Sequence, residues 1–329
     1  MLTPLLTVSI PTYNRAERLR VTLANVLAQI EALDLPLGAI EVVVTSNASP
    51  DHTSDLVANL MEHHSALRYF ENDRNLGIDG NIHRAMVNAR GKFVHLLSDD
   101  DVLLPGLYQH LHKVLQTTDA IRFLFLNVRA LGGNDAPSGP PVITLGQAEL
   151  IALPKDEFVR AVGVWMTFIS SFVVDRRCWL GTPHPEQYIG TDIYLSYVAF
   201  NVLAQAGGGH ISIPAHVLVR PMYSGSFRIF KAFASEWRRL LLEHAPAAGF
   251  APSVTRGIFA TTTRNFLPGC VSLAKQSSTL TRKEVGLLLA NTWDIPAAWL
   301  FVYPVIVLPP RLVAWLREIR AMLRWRRPC

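Results

Sequence analysis

Over the first 130 residues, short apolar runs alternate with stretches whose apolar residues recur at helical spacing. No other feature restricts the fold so tightly. Leu5–Ile10 is an apolar run that stops at Pro11, as a buried strand does. After it, Leu19, Leu23, Val26, Leu27 and Ile30 share one helix face. Ile40–Thr45 is a β-branched strand, and Ser49-Pro50-Asp51 reads as a helix start with Ser49 as its cap. Leu67–Phe70, Lys92–Leu97 and Ile121–Val128 are the next strands. Helices are expected over Asp79–Ala89 and Leu104–Leu115. Strands separated by helices predict an α/β fold with a mainly parallel sheet. Further on, Trp165–Val174 and His210–Val219 read as strands and Asp192–Ala204 as a helix. The chain beyond Phe227 reads as almost wholly helical.

The strand Lys92–Leu97 runs directly into Ser98-Asp99-Asp100-Asp101. Adjacent carboxylates repel one another and resist burial unless a cation compensates. Ligands of open α/β sheets sit at the carboxyl ends of strands, and hard oxygen donors there suit Mg²⁺ or Mn²⁺. A helix cap would account for Asp101 alone. The eleven histidines form no ligand array, and none is assigned a metal role.

Val8-Ser9-Ile10-Pro11-Thr12-Tyr13-Asn14-Arg15 resembles the opening strand and loop of family 2 glycosyltransferases, nucleotide-sugar enzymes of the GT-A fold. Ser46-Asn47-Ala48-Ser49-Pro50-Asp51, Arg74-Asn75-Leu76-Gly77-Ile78 and Ser98-Asp99-Asp100-Asp101 follow in the matching order. Trp165–Ser171 and Tyr188-Ile189-Gly190-Thr191-Asp192 resemble the abequosyltransferase-like branch. The resemblance implies a donor site drawn from Pro11, Thr12, Tyr13, Arg15, Ser46, Asn47, Asn75, Gly77, Asp99 and Asp100. It implies a divalent metal, Mn²⁺ or Mg²⁺, on Asp99, Asp100 and Asp101. It further implies Asp192 as general base, with Glu186 in reserve. The alternative role for Asp192 is a cap or first-turn acid of the helix that follows. Ser46 stands where many members have an Asp that reads the nucleobase, which leaves a cytidine donor open beside uridine.

Half of the residues are hydrophobic, which excludes intrinsic disorder, and three scattered cysteines exclude a disulfide framework. The chain is expected to divide into a GT-A domain, residues 1–225, and a helical region, 226–329. Between Arg311 and Arg327 there are six Arg and one acid, Glu318. Leu312, Trp315, Leu316, Ile319, Met322 and Leu323 share one helix face there, which suits either a membrane surface or a packed helix. The start reads as lacking a secretory leader.

The expectation is thus a metal-dependent inverting glycosyltransferase of cell-surface polysaccharide synthesis. Its acceptor is a lipid-linked saccharide, and a deoxysugar is among the candidate donors. It would be cytoplasmic and peripheral to the inner face of the membrane, with no nucleic-acid partner and a homo-oligomer allowed. A nucleotidyltransferase is the rival enzyme, although the loop after strand one lacks the Gly-rich phosphate cradle. An inactive membrane-peripheral protein on the same fold is the other alternative.

Overall fold

A computed structural model describes residues 3–36, 38–132, 136–219, 228–309 and 311–312. The chain divides into two compact units, Met1–Tyr223 and Ser224–Cys329.

The first unit is built on one mixed sheet. Its strands are β1 (Leu6–Thr12), β2 (Ile40–Ser46), β3 (Leu67–Glu71), β4 (Phe93–Leu96), β5 (Val102–Leu103), β6 (Phe123–Leu131), β7 (Pro137–Ser138), β8 (Leu150–Pro154), β9 (Phe172–Asp175) and β10 (Gly208–Val219). The order is β3-β2-β1-β4-β9-β6-β10-β5, with β7 on β6 and β8 on β10. β3, β2, β1 and β4 are mutually parallel, as are β6 and β10. β9 enters antiparallel between β4 and β6. β1, β2 and β4 are buried almost throughout, which is why they read as unbroken apolar runs rather than as alternation. Helices α1 (Ala16–Glu31), α2 (Thr53–Met61), α3 (Gly77–Asn88), α4 (Leu107–Thr117), α5 (Lys155–Val162), α6 (Arg176–Leu180) and α7 (Tyr194–Ala206) complete the unit.

Three local expectations are corrected. The strand expected over Trp165–Val174 is confined to Phe172–Asp175, and residues 163–171 form two short 3₁₀ turns. Gly163 takes φ 58° after α5, and the Ser196 hydroxyl donates to the Met166 carbonyl, so the segment cannot run straight. Ser49 does not cap α2. His52 occupies that position, and Asp51 before it accepts from the Thr53 N–H at 3.2 Å while its other oxygen accepts from Ala16 N–H at 2.9 Å. One carboxylate thus serves the first turns of two helices. The third correction concerns α4, which begins at Leu107 rather than Leu104. Gly106 adopts φ 84° before it, and Val102–Leu103 pairs instead with β10.

Among the described residues, the second unit consists of a helical run over 229–247, then Pro252–Asn265, Leu267–Gln276, Arg282–Thr292, Pro296–Phe301 and Tyr303–Val307. Its core is lined by Trp237, Leu240, Leu241, Phe259, Val271 and Leu288. The Trp237 indole donates to the Thr262 hydroxyl at 3.2 Å. Among the described residues, no helix is long and apolar enough to cross a membrane. The amphipathic stretch read over Leu312–Leu323 lies outside the described residues from 313 onward.

Candidate active site

The carboxyl ends of β1, β2 and β4 meet at the acidic turn. Its three carboxylates face different partners. Asp99 is buried and accepts from the Thr12 hydroxyl at 2.7 Å and from Arg15 Nη1 at 3.0 Å. Asp100 accepts from the same Arg15 nitrogen at 3.2 Å, from Arg18 at 3.0 Å and from the Ser98 hydroxyl at 2.7 Å. Asp101 accepts from the Ser170 hydroxyl at 2.6 Å. Burial pushes the Asp99 carboxyl above its ordinary value, while Arg15 and Thr12 draw it back. Guanidinium groups therefore supply the cations that the sequence required for Asp99 and Asp100. That charge balance was not legible from the run of acids alone.

Among the described residues, no group of three His, Cys, Asp or Glu side chains is disposed to hold a metal by protein ligands alone. Mg²⁺ and Mn²⁺ sites that act on phosphates commonly take one or two carboxylates, with phosphate oxygens completing the shell. Hard oxygens from Asp100 and Asp101 on adjacent residues fit that smaller share.

The expected donor residues fall into two groups. Ser46 and Asn47 are buried. The Ser46 hydroxyl donates to Ser49 Oγ at 3.1 Å. Asn47 Oδ1 accepts from Leu76 N–H at 2.8 Å and from Asn72 at 3.1 Å, while its amide nitrogen donates to Asn75 Oδ1 at 2.8 Å and the Gly77 carbonyl at 3.2 Å. These side chains tie together the loops after β2 and β3. Gly77 is at φ 74°, a conformation that favours glycine. Pro11, near the end of β1, is partly exposed, Tyr13 and Arg15 are exposed and partly exposed on the loop that follows, and Thr12 is turned inward to Asp99.

Asp192 lies at the same edge of the sheet. It is not in the first turn of α7, which begins at Tyr194 with Ile193 as cap, so the first-turn reading is corrected. Its backbone is left-handed, φ 66°. The carboxylate of Asp79, in the first turn of α3, accepts N–H groups from Gly190 at 2.8 Å, Asp192 at 2.7 Å and Tyr194 at 3.2 Å. Two residues on, the Asn81 amide donates to the Thr12 and Thr45 carbonyls, both at 3.2 Å. An unbroken bonded path therefore joins the Asp192 loop to the acidic turn. Glu186 stands on the short turn Pro185–Tyr188, exposed, with His184 at 3.5 Å. Asp79 and Ser170 were not singled out from the sequence. An acid in a helix's first turn has a routine reading as a dipole complement, and a serine in an apolar stretch carries no signal. Asp79→Ala leaves three backbone donors without their acceptor, so urea unfolding is expected to show a loss of at least about 2 kcal/mol. Parent-like stability would mean that water replaces the carboxylate at no cost.

Behind Ser170 sits His95, fully buried. Its Nε2–H donates to the Ser170 carbonyl at 3.0 Å, and the Tyr108 hydroxyl lies 3.4 Å from Nδ1, on the side that would donate. The carbonyl can only accept, which assigns the neutral Nε2–H tautomer. Burial lowers the His95 pKa to about 4 from an ordinary 6.5. The unfolded chain thus takes up a proton that the folded chain refuses. Stability from this group is complete above pH ~6.5 and is lost as pH falls towards ~4, by about 2–3 kcal/mol. His95→Gln should lose correspondingly less than the parent between neutral pH and pH ~4.5. Equal losses by urea titration would contradict this account.

Comparisons with known proteins bear on the same region. The model of glycosyl transferase family 2 matches residues 7–137. The GalNAc(5)-diNAcBac-PP-undecaprenol β-1,3-glucosyltransferase of Campylobacter jejuni is 35% identical over 104 residues, 31% of this chain and 32% of its own. Abequosyltransferase RfbV of Salmonella typhimurium is 25% identical over 215 residues, 62% of each chain. The first curated relatives are thus spanned over only about a third of their length. The fold is shared with S. aureus TarS in complex with UDP-GlcNAc: TM-score 0.62, 15% identity, 88% of this chain and 80% of that one. The architecture is the GT-A fold with a helical C-terminal region.

Proposed function

We propose that this chain, which carries a glycosyl transferase family 2 domain over residues 7–137, moves a sugar from a nucleotide-sugar donor to a saccharide acceptor. The observation that carries this reading is the acidic turn at the carboxyl ends of parallel strands, held by Arg15 and Ser170. Open α/β sheets bind ligands at that edge. Pro11–Arg15 borders the nucleoside, with Tyr13, 43% exposed, available to pack on base or ribose. Ser46 is occupied with Ser49, so base recognition passes to groups nearer the surface.

Asp100 and Asp101 would hold the Mg²⁺ or Mn²⁺ with Asp99 behind them. Such an ion, when bound, offsets charge gathering on the departing nucleoside diphosphate. Arg15 fixes the spacing of Asp99 and Asp100. Asp192 accepts the proton of the acceptor hydroxyl as that oxygen attacks the anomeric carbon, and a single displacement inverts the configuration. Glu186 is the second candidate for this role.

A lipid-linked acceptor is supported by the name of the C. jejuni relative, which specifies an undecaprenol-linked substrate. Attachment to the inner face of the membrane is proposed with it, in polysaccharide synthesis, and the arginines within residues 313–329 would contribute charge. Homo-oligomerisation is compatible with this reading, and no nucleic-acid partner is part of it.

The test is a panel of UDP-, GDP-, CDP- and dTDP-sugars, read as nucleoside diphosphate released with Mn²⁺ and with EDTA. Release from at least one donor that stops with EDTA is expected. Pyrophosphate release from a nucleoside triphosphate would replace the proposal with a nucleotidyltransferase. No turnover and no thermal shift with any donor would leave an inactive protein on this fold.

A further inference from the structure

The second unit exposes a tryptophan-bearing apolar surface that the transferase reading does not use. In the stretch 286–309 the inward side chains are satisfied: Leu288, Ala298, Val302 and Val305 are buried. Other apolar side chains of the stretch are open to solvent. Trp293 is 64% exposed, Trp299 61%, Leu300 70% and Val307 76%, with Leu289 also exposed. The two tryptophans are held in place. The Trp299 indole donates to the Trp293 carbonyl at 2.8 Å, Trp293 N–H donates to the Leu289 carbonyl, and the Trp299 ring meets Tyr303 edge-on at 4.9 Å. Both strongly exposed tryptophans among the described residues lie here.

The charges around this face select its partner. Asp294 is the acid within it, and Arg238 neutralises that carboxylate through two hydrogen bonds of 2.9 and 2.7 Å. Arg282 and Lys283 are exposed at one end and Arg311 at the other, and the sequence continues with five more Arg and one Glu by Arg327. We propose that Leu289, Trp293, Trp299, Leu300 and Val307 form a contact surface for an anionic lipid bilayer, lying in the interface rather than crossing it. Tryptophan and leucine flanked by basic residues are the composition of interfacial elements. A second copy of this chain fits less well, because pairing like faces would bring the same basic residues together. The inference does not rest on the transferase activity, and it places a lipid contact in the helical unit ahead of the tail.

The test uses the full chain and vesicles of equal parts phosphatidylglycerol and phosphatidylcholine. The parent is expected to sediment with them and to show a blue shift in tryptophan emission. Trp293→Ser/Trp299→Ser/Leu300→Ser should sediment at least about tenfold less at unchanged Tm, because each lost side chain removes apolar area from the interface. If the triple variant unfolds, Leu300→Ser alone carries the test and should still weaken sedimentation several-fold. The proposal is overturned if the parent stays in the supernatant or if the folded variant sediments like the parent, leaving the tail as the attachment. It is also overturned if the parent is a dimer that the variant converts to monomer without any vesicle binding.

Discussion

Asp101→Asn is expected to lower metal-dependent turnover of the nucleotide sugar by at least about 10²-fold, the scale on which one electrostatic contact at a reacting centre acts. The substitution keeps the shape of the side chain, and its amide oxygen can still accept the Ser170 hydroxyl that now lies 2.6 Å from the carboxylate. The fold should therefore survive while the negative charge is lost. Asp99→Asn should behave differently. Asp99 is buried against the Arg15 guanidinium, and removing one partner of a buried pair costs about 3–5 kcal/mol where the other charge is left uncompensated; here Asp100, 3.2 Å from the same nitrogen, still meets the arginine. With that second carboxylate and an arginine about one-third exposed, the expected loss is about 1–2 kcal/mol, still read in stability. The neighbouring acids thus separate into one whose loss is read in turnover and one whose loss is read in the melting curve. Measuring both quantities on each variant checks this. Parent-like turnover in Asp101→Asn would remove the acidic turn from the chemistry.

Asp192→Asn should reduce the transfer rate by at least about 10²-fold at unchanged donor affinity, the range for loss of a general base. Asparagine tolerates left-handed backbone, so φ 66° should persist, and the Asp192 N–H can still donate to Asp79. A lost proton acceptor is then the main change. Single-turnover rates and donor titrations on this variant and on Glu186→Gln decide between the two candidates. A normal rate in Asp192→Asn with a collapsed rate in Glu186→Gln would transfer the role to the exposed turn.

Most strands and helices of the first 130 residues were legible because each is a local pattern; β5 and the start of α4 were not, because Val102–Leu103 is a strand only through its pairing with β10. An apolar run that ends near Pro11 or Ser98 brings a strand close to its end, although β1 runs on through Pro11 to Thr12, and a strand end in an α/β sheet is where ligands gather. The opening of α7 was read two residues early. Asp192 followed by an apolar helix looks like a cap, and only the Asp79 carboxylate shows that the residue belongs to a left-handed loop.

By itself the sequence determined that a mainly parallel α/β unit precedes a helical one, and that an acidic turn closes a buried strand. Both follow from periodicity and from residues adjacent in the chain. Tertiary structure alone decided which cations meet those acids, since Arg15 lies 84 residues from Asp99. It also decided that Ser170 holds Asp101 across 69 residues, that Asp79 holds the Asp192 loop across 113, and that β9 enters antiparallel between β4 and β6. Hydrogen bonds and ion pairs over such separations impose no period on the chain. They arise only when packing brings strand ends together and each buried polar group must find a partner.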